Sequence, residues 1–139
     1  MKVECAFCQI LPADLVFEDD ISLAFLDYRP LFPGHLLLIP KRHYETLGDL
    51  PAAMVGSFFS NVQILAHAVE TAMSAEGSFV AINNRVSQSV PHLHVHIVPR
   101  RKKDGLKGFF WPRRKYASGE EMEKTRLAIR DALQAHVEE

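Results

Sequence analysis

The chain has 139 residues, with 47% hydrophobic and 24% charged positions and a formal net charge of -1. This length suits one domain over residues 1–139 that buries a core without disulfide staples, and the composition excludes a disordered or polyanion-coating chain. Apolar runs such as Leu36 to Ile39, which ends at Pro40, fall well short of the roughly 20 residues of a bilayer-spanning helix. With no secretory pattern at the start, the expectation is a soluble cytoplasmic protein with no membrane partner.

In chain order, Cys5-x-x-Cys8 comes first. The spacing suits a metal or a redox pair. A redox pair wants a strand before it and a helix after it, and a pair so near the start favours metal. Reduced, unmetallated cysteines packing as small hydrophobes are the alternative. Val16–Leu26 alternates around Glu18-Asp19-Asp20 and predicts a hairpin. Pro30 to His35 is a punctuated loop, and His35–Pro40 reads as a short buried strand. Met54/Val55, Phe58, Val62, Leu65, Val69 and Met73 predict a long helix over 51–76, with Pro51 near its start and Gly77 past its end.

Ser78–Asn83 and His92–Val98 read as strands. Residues 100–115 carry eight basic side chains against Asp104 alone, with Phe109, Phe110 and Trp111 among them. That stretch suits either a phosphate-bearing ligand and a stacked base, or an interface. Ser118-Gly119-Glu120-Glu121 fits a capping box opening a helix over 119–137, with Met122, Ile129, Leu133 and Val137 as its apolar stripe. Strands, one long helix, more strands and a terminal helix predict an α+β fold with an antiparallel sheet.

His92, His94 and His96 alternate with Leu93, Val95 and Ile97. On an extended strand the three imidazoles share one face and the aliphatic residues anchor the other. Neighbours lie roughly 6.6 Å apart and the outer pair roughly 13 Å, so two rings can share a metal and three cannot. Their roles must divide. Central His94 suits a nucleophile toward phosphorus, because neutral imidazole attacks well and leaves well.

The run Gln88-Ser89-Val90-Pro91-His92-Leu93-His94-Val95-His96-Ile97-Val98-Pro99-Arg100 strongly resembles the signature of the histidine triad family of nucleotide hydrolases and transferases. Phe17 to Asp27 and Pro33-Gly34-His35 through His43 resemble that family's N-terminal half. The resemblance implies a HIT-like sheet of about five strands with one long central helix and a C-terminal helix. It implies that His94 attacks an α-phosphorus through a covalent nucleotidyl-histidine. His96 and Ser89 then bind the phosphate oxygens or help the leaving group, and Gln88 adds a donor.

Asp27 would accept from ribose hydroxyls, with Phe7, Ile21 and Leu26 walling the base and His35 beside the nucleophile strand. Asn83 would contact the leaving-group side. Here the chain departs from the family: Asn84-Arg85-Val86-Ser87 stands where many members have a glycine-rich stretch, which leaves Asn83 and Asn84 as rivals for that role. The zinc-bearing subgroup implies that Cys5, Cys8, His43 and His92 form a closed structural zinc site. A homodimer is implied too.

The leading reading is an enzyme acting on dinucleoside polyphosphates, such as diadenosine tetraphosphate, or on nucleoside phosphoramidates. The alternative is a zinc-stabilised nucleotide-binding module with little turnover. Removal of adenylate from nucleic-acid ends ranks third, and a nucleic-acid partner is not expected.

Overall fold

The computed structural model describes residues 5–106 and 113–138. The chain divides after Asp104 into two compact units. In the first, β1 (Leu15–Glu18), β2 (Ser22–Leu26), β3 (Leu36–Pro40), β4 (Gly77–Ile82) and β5 (Val95–Arg100) form one sheet in the order β1-β2-β3-β5-β4. All four pairings are antiparallel, as the strand pattern predicts. α1 (Ala52–Ala72) joins β3 to β4.

Alternation along the strands divides the sheet into two faces. Ala24, Leu36, Leu38, Val95 and Ile97 pack with Phe58, Val62, Leu65 and Val69 of α1, and Leu93 joins them. Phe25, Leu37 and Ile39 form a second cluster with Phe7, Ile10 and Leu23. By length and composition α1 could cross a membrane. Its Phe58-to-Val69 row instead fills the core of this unit.

The helix ends earlier than its periodicity suggests. Ser74 takes a left-handed φ of 50°. The Ala75 N–H donates to the Glu70 carbonyl (2.9 Å) and the Ser74 N–H to that of Thr71 (3.2 Å), a Schellman closure. Gly77 therefore opens β4 rather than closing α1.

The expected hairpin is pinned by Asp19. Its Oδ1 accepts from the Ile21 and Ser22 N–H groups (3.0 and 2.9 Å) and the Ser22 hydroxyl (3.0 Å). Asn61 of α1 donates to Asp19 Oδ2 (2.7 Å) and to Ser22 Oγ (2.8 Å). Burial opposes the carboxylate charge, but bonds from Asn61, Ile21 and Ser22 outweigh it and hold the acid below its ordinary value.

In the second unit, α2 (Gly119–Glu138) begins where expected, with the Glu121 N–H donating to Ser118 Oγ (3.0 Å) as an N-cap. Its predicted stripe is exposed at Met122, Ile129 and Leu133. The Val137 side chain, and Phe109, Phe110 and Trp111 of the basic-aromatic segment, lie outside the described residues.

Asn61 is buried and couples hairpin to helix. Asn61→Leu keeps the branching and heavy-atom count of the side chain but removes the donor to a carboxylate, and should lower unfolding free energy by about 2 kcal/mol in urea titration. An unchanged midpoint would show that the Asp19 cluster does not stabilise the fold.

Candidate active site

Strand pairing begins at Val95 rather than at His92, so His96 lies within β5 while His92, at a bend, and His94 belong to the irregular segment leading into it. The expected alternation still holds. Leu93, Val95 and Ile97 enter the α1-side core, while His96 sits across from Leu37 of β3. The rings of His94 and His96 lie 5.0 Å apart between centroids.

These two rings line a cleft of about 320 Å³ together with Phe7, Phe25, Leu26, Asp27, Tyr28, Leu37, Ser89 and Val90. One wall is apolar, from β2, β3 and the N-terminal turn. The other is polar, from the histidines and Ser89. Such a cleft suits a ligand with a flat apolar part and a charged part.

The backbone fixes the proton positions. A carbonyl can only accept, so His94 Nδ1–H donates to the His92 carbonyl (2.7 Å). His94 Nε2 then keeps its lone pair. The Leu31 N–H can only donate, so His35 Nδ1 accepts it (3.1 Å). His35 Nε2–H in turn donates to His96 Nδ1 (3.0 Å), which leaves the His96 proton on Nε2. Both rings line the cleft, His94 with an unprotonated Nε2 and His96 with an Nε2–H.

Asp27 Oδ2 stands 3.7 Å from His35 Nε2, and its Oδ1 accepts from the Arg29 N–H (2.9 Å). Burial first, then the neighbouring His94 and His35 rings, push His96 down to about 4 against a weaker pull from Asp27. Burial likewise lowers His35. Both rings are neutral at pH 7. Gly34 sets up the turn before His35: its φ is +96°, and a β-carbon there would lie 2.7 Å from Met73 Cγ.

The second constellation lies alongside. Cys5 Sγ is 3.4 Å from His92 Nδ1, and Cys8 Sγ is 3.5 Å from Nδ1 of both His92 and His43. The four ligand atoms lie within 4.8 Å of one another. A tetrahedral ion with bonds of about 2.3 Å to sulfur and about 2.0 Å to nitrogen separates S and N by about 3.5 Å. His92 Nε2–H donates to the Pro40 carbonyl (2.9 Å), so its Nδ1 faces the thiols with a free lone pair. The residues present fit a Cys₂His₂ metal site. Asp27, His35 and His96 also converge. There the proton chain from Leu31 accounts for the short His35–His96 distance.

Of the other residues expected at the site, Phe7 and Leu26 line the cleft, whereas Ile21 does not and packs on the α1-side core. The alternation of β2 puts Leu23 and Phe25 on the cleft side, and Ile21 lies before that strand. Gln88 braces a loop, accepting from the Arg85 N–H (2.8 Å) and donating to the Glu45 carbonyl (2.6 Å). Asn83 is exposed, and it is Asn84 that makes the loop contact, accepting from the Leu47 N–H (2.9 Å). Phe25, Tyr28, Leu37 and Val90 also line the cleft, and sequence reasoning missed them. The period-two pattern of β2 and β3 carries the signal for Phe25 and Leu37.

Comparison with known proteins agrees with this geometry. The HIT domain pattern matches residues 9–103, more than half of the chain. The chain belongs to the HIT family. This HIT protein is 37% identical over 112 residues to adenylylsulfatase HINT3 of Arabidopsis thaliana, covering 76% of this chain and 57% of that one. It is 36% identical over 94 residues to the asymmetrical bis(5'-nucleosyl)-tetraphosphatase of Schizosaccharomyces pombe, covering 66% and 52%. The chain thus spans little more than half the length of these two relatives. A HIT family crystal structure from Bacillus subtilis superposes with a TM-score of 0.80 at 31% identity, covering 93% of this chain and 96% of that one.

The lowered His96 gives this HIT protein a stability that depends on pH. Its folded value of about 4 lies below the ordinary 6.5. Between those values the unfolded chain takes up a proton that the folded chain refuses, so stability falls as pH drops through that window. Calorimetry should show the melting temperature falling from about pH 6.5 to about pH 4, less steeply in His96→Gln. Equal slopes would contradict the assigned burial and proton chain.

Proposed function

We propose that this HIT protein is a nucleotide hydrolase or nucleotidyl transferase working through His94. The observation that carries the reading is the bond from His94 Nδ1–H to the His92 carbonyl, which leaves Nε2 bare beside the cleft. Nε2 attacks the α-phosphorus, a nitrogen–phosphorus bond forms, and the bond to the leaving group breaks. The positive charge that develops on the ring is stabilised by the His92 carbonyl. His96 Nε2–H and the Ser89 hydroxyl donate to the phosphate oxygens or the departing group. Asp27 takes the ribose hydroxyls, and Phe7, Phe25 and Leu26 enclose the base.

Water then cleaves the nitrogen–phosphorus bond, releasing a nucleoside monophosphate and returning His94 to its neutral form. Dinucleoside polyphosphates such as diadenosine tetraphosphate, adenylates and nucleoside phosphoramidates all present that α-phosphorus. The named activities of the Arabidopsis and fission-yeast relatives support the class. The edge position of β4, with Val80 exposed, supports pairing with a second copy as a homodimer.

His94→Ala should lose roughly 10³-fold of turnover while still binding nucleotide. Rapid quench with diadenosine tetraphosphate, followed by intact-mass spectrometry, should show one nucleotidyl adduct in the native protein and none in the variant. Turnover that survives His94→Ala would remove the covalent mechanism.

For the second constellation we propose structural zinc held by Cys5, Cys8, His43 and His92. Zinc there supplies folding free energy and cross-links the N-terminal turn to the histidine segment. Elemental analysis should find one zinc per chain, and a strong chelator should lower the melting temperature. A metal-free protein whose melt ignores the chelator would dispose of the site.

A further inference from the structure

Residues 83–91 contain no glycine, and Arg85 is their only charged residue. Two of them nevertheless take the left-handed conformation, Arg85 at φ 67° and Ser87 at φ 62°. Side chains disfavour that conformation and glycine does not. The loop is held in it at both ends. Asn84 Oδ1 accepts from the Leu47 N–H, while Gln88 clamps the Arg85 N–H to the Glu45 carbonyl. Strained backbone kept by such bracing points to a use for the side chain it carries.

That side chain is 70% exposed, and its guanidinium Nε stands 3.9 Å from Glu45 Oε1. A pair so long and so solvated is weak, so the cation is restrained but open to a better anion. Its location follows from the topology. Asp27 follows the Leu26–Leu36–Ile97 row of the sheet, whereas the β4–β5 loop, which carries Arg85 as well as His92 and His94, leaves past the Ile82–Val95 pair, toward the opposite strand ends. Ser89, four residues after Arg85, already lines the cleft. A ligand running from Asp27 across His94 and Ser89 would leave the cleft along the loop that carries Arg85.

We propose that Arg85 is a specificity-determining residue that binds the phosphate chain beyond the α-phosphorus, favouring polyphosphate substrates over those that lose an amine. The proposal rests on the reading of His94 and Asp27 given above. A guanidinium suits this task because its fork of donors matches phosphate oxygens, and the amine-losing substrates present no anion there.

The test is calorimetric binding of AMP and of the α,β-methylene analogue of ATP in magnesium-free buffer. The native protein should bind the analogue more tightly than AMP. In Arg85→Gly that preference should shrink roughly tenfold, and Arg85→Lys should restore part of it. Glycine accepts the left-handed backbone, so the variant should melt no lower than the native protein. A native protein without preference for the longer nucleotide, or a preference that survives Arg85→Gly, would overturn the proposal. An Arg85-dependent preference in a protein that forms no adduct at His94 would uphold Arg85 and remove the covalent mechanism instead.

Discussion

The carbonyl of His92 holds the ring of His94, and most of the site is arranged so that this bond persists. Both ring nitrogens of His92 have partners. Its Nε2–H is tied to the Pro40 carbonyl at the end of β3, and its Nδ1 faces the two thiols. The next residue, Leu93, is fully buried, and its N–H donates to the Tyr44 carbonyl at 2.6 Å. The segment is thus pinned on both sides of the acceptor. A histidine needs one nitrogen fixed for the other to be useful, and here the fixing partner is backbone, which cannot change its protonation.

The two faces of the sheet differ in what they carry. Its aliphatic face closes on α1, and the Asp19–Ser22–Asn61 cluster ties the first hairpin to the same helix. The other face carries His96 with Phe25 and Leu37, so the polar ring stands on an apolar platform. Burial keeps His96 neutral, and neutrality lets it accept from His35 while offering a proton to the cleft. Low polarity and directed hydrogen bonds act together here rather than against each other.

Much of this is legible in the sequence because it depends on period. The histidine–aliphatic alternation marks the two faces, the apolar spacing marks α1, and Cys-x-x-Cys supplies half of the four-residue cluster. What is illegible depends on the backbone. No pattern marks the Pro40, His92 and Leu31 groups that set the three tautomers. Ser74 closing α1 ahead of Gly77, and Arg85 in a conformation usual for glycine, are decisions of tertiary structure that override residue preference. Ile21 escapes the reading because it lies just outside β2, where alternation no longer predicts the face. Asn83 and Asn84 cannot be separated by pattern, since adjacent residues differ only in where the loop turns them.

Phe7 sits between the two cysteines, and its ring meets those of His94 at 5.0 Å and Phe25 at 5.4 Å. The short turn Ala6–Gln9 therefore presents sulfur toward one neighbour and an aromatic edge toward another. Its length answers to both demands at once. Adding or deleting a residue between Cys5 and Cys8 would misalign thiols and pocket wall together, so neither can drift in spacing without disturbing its companion.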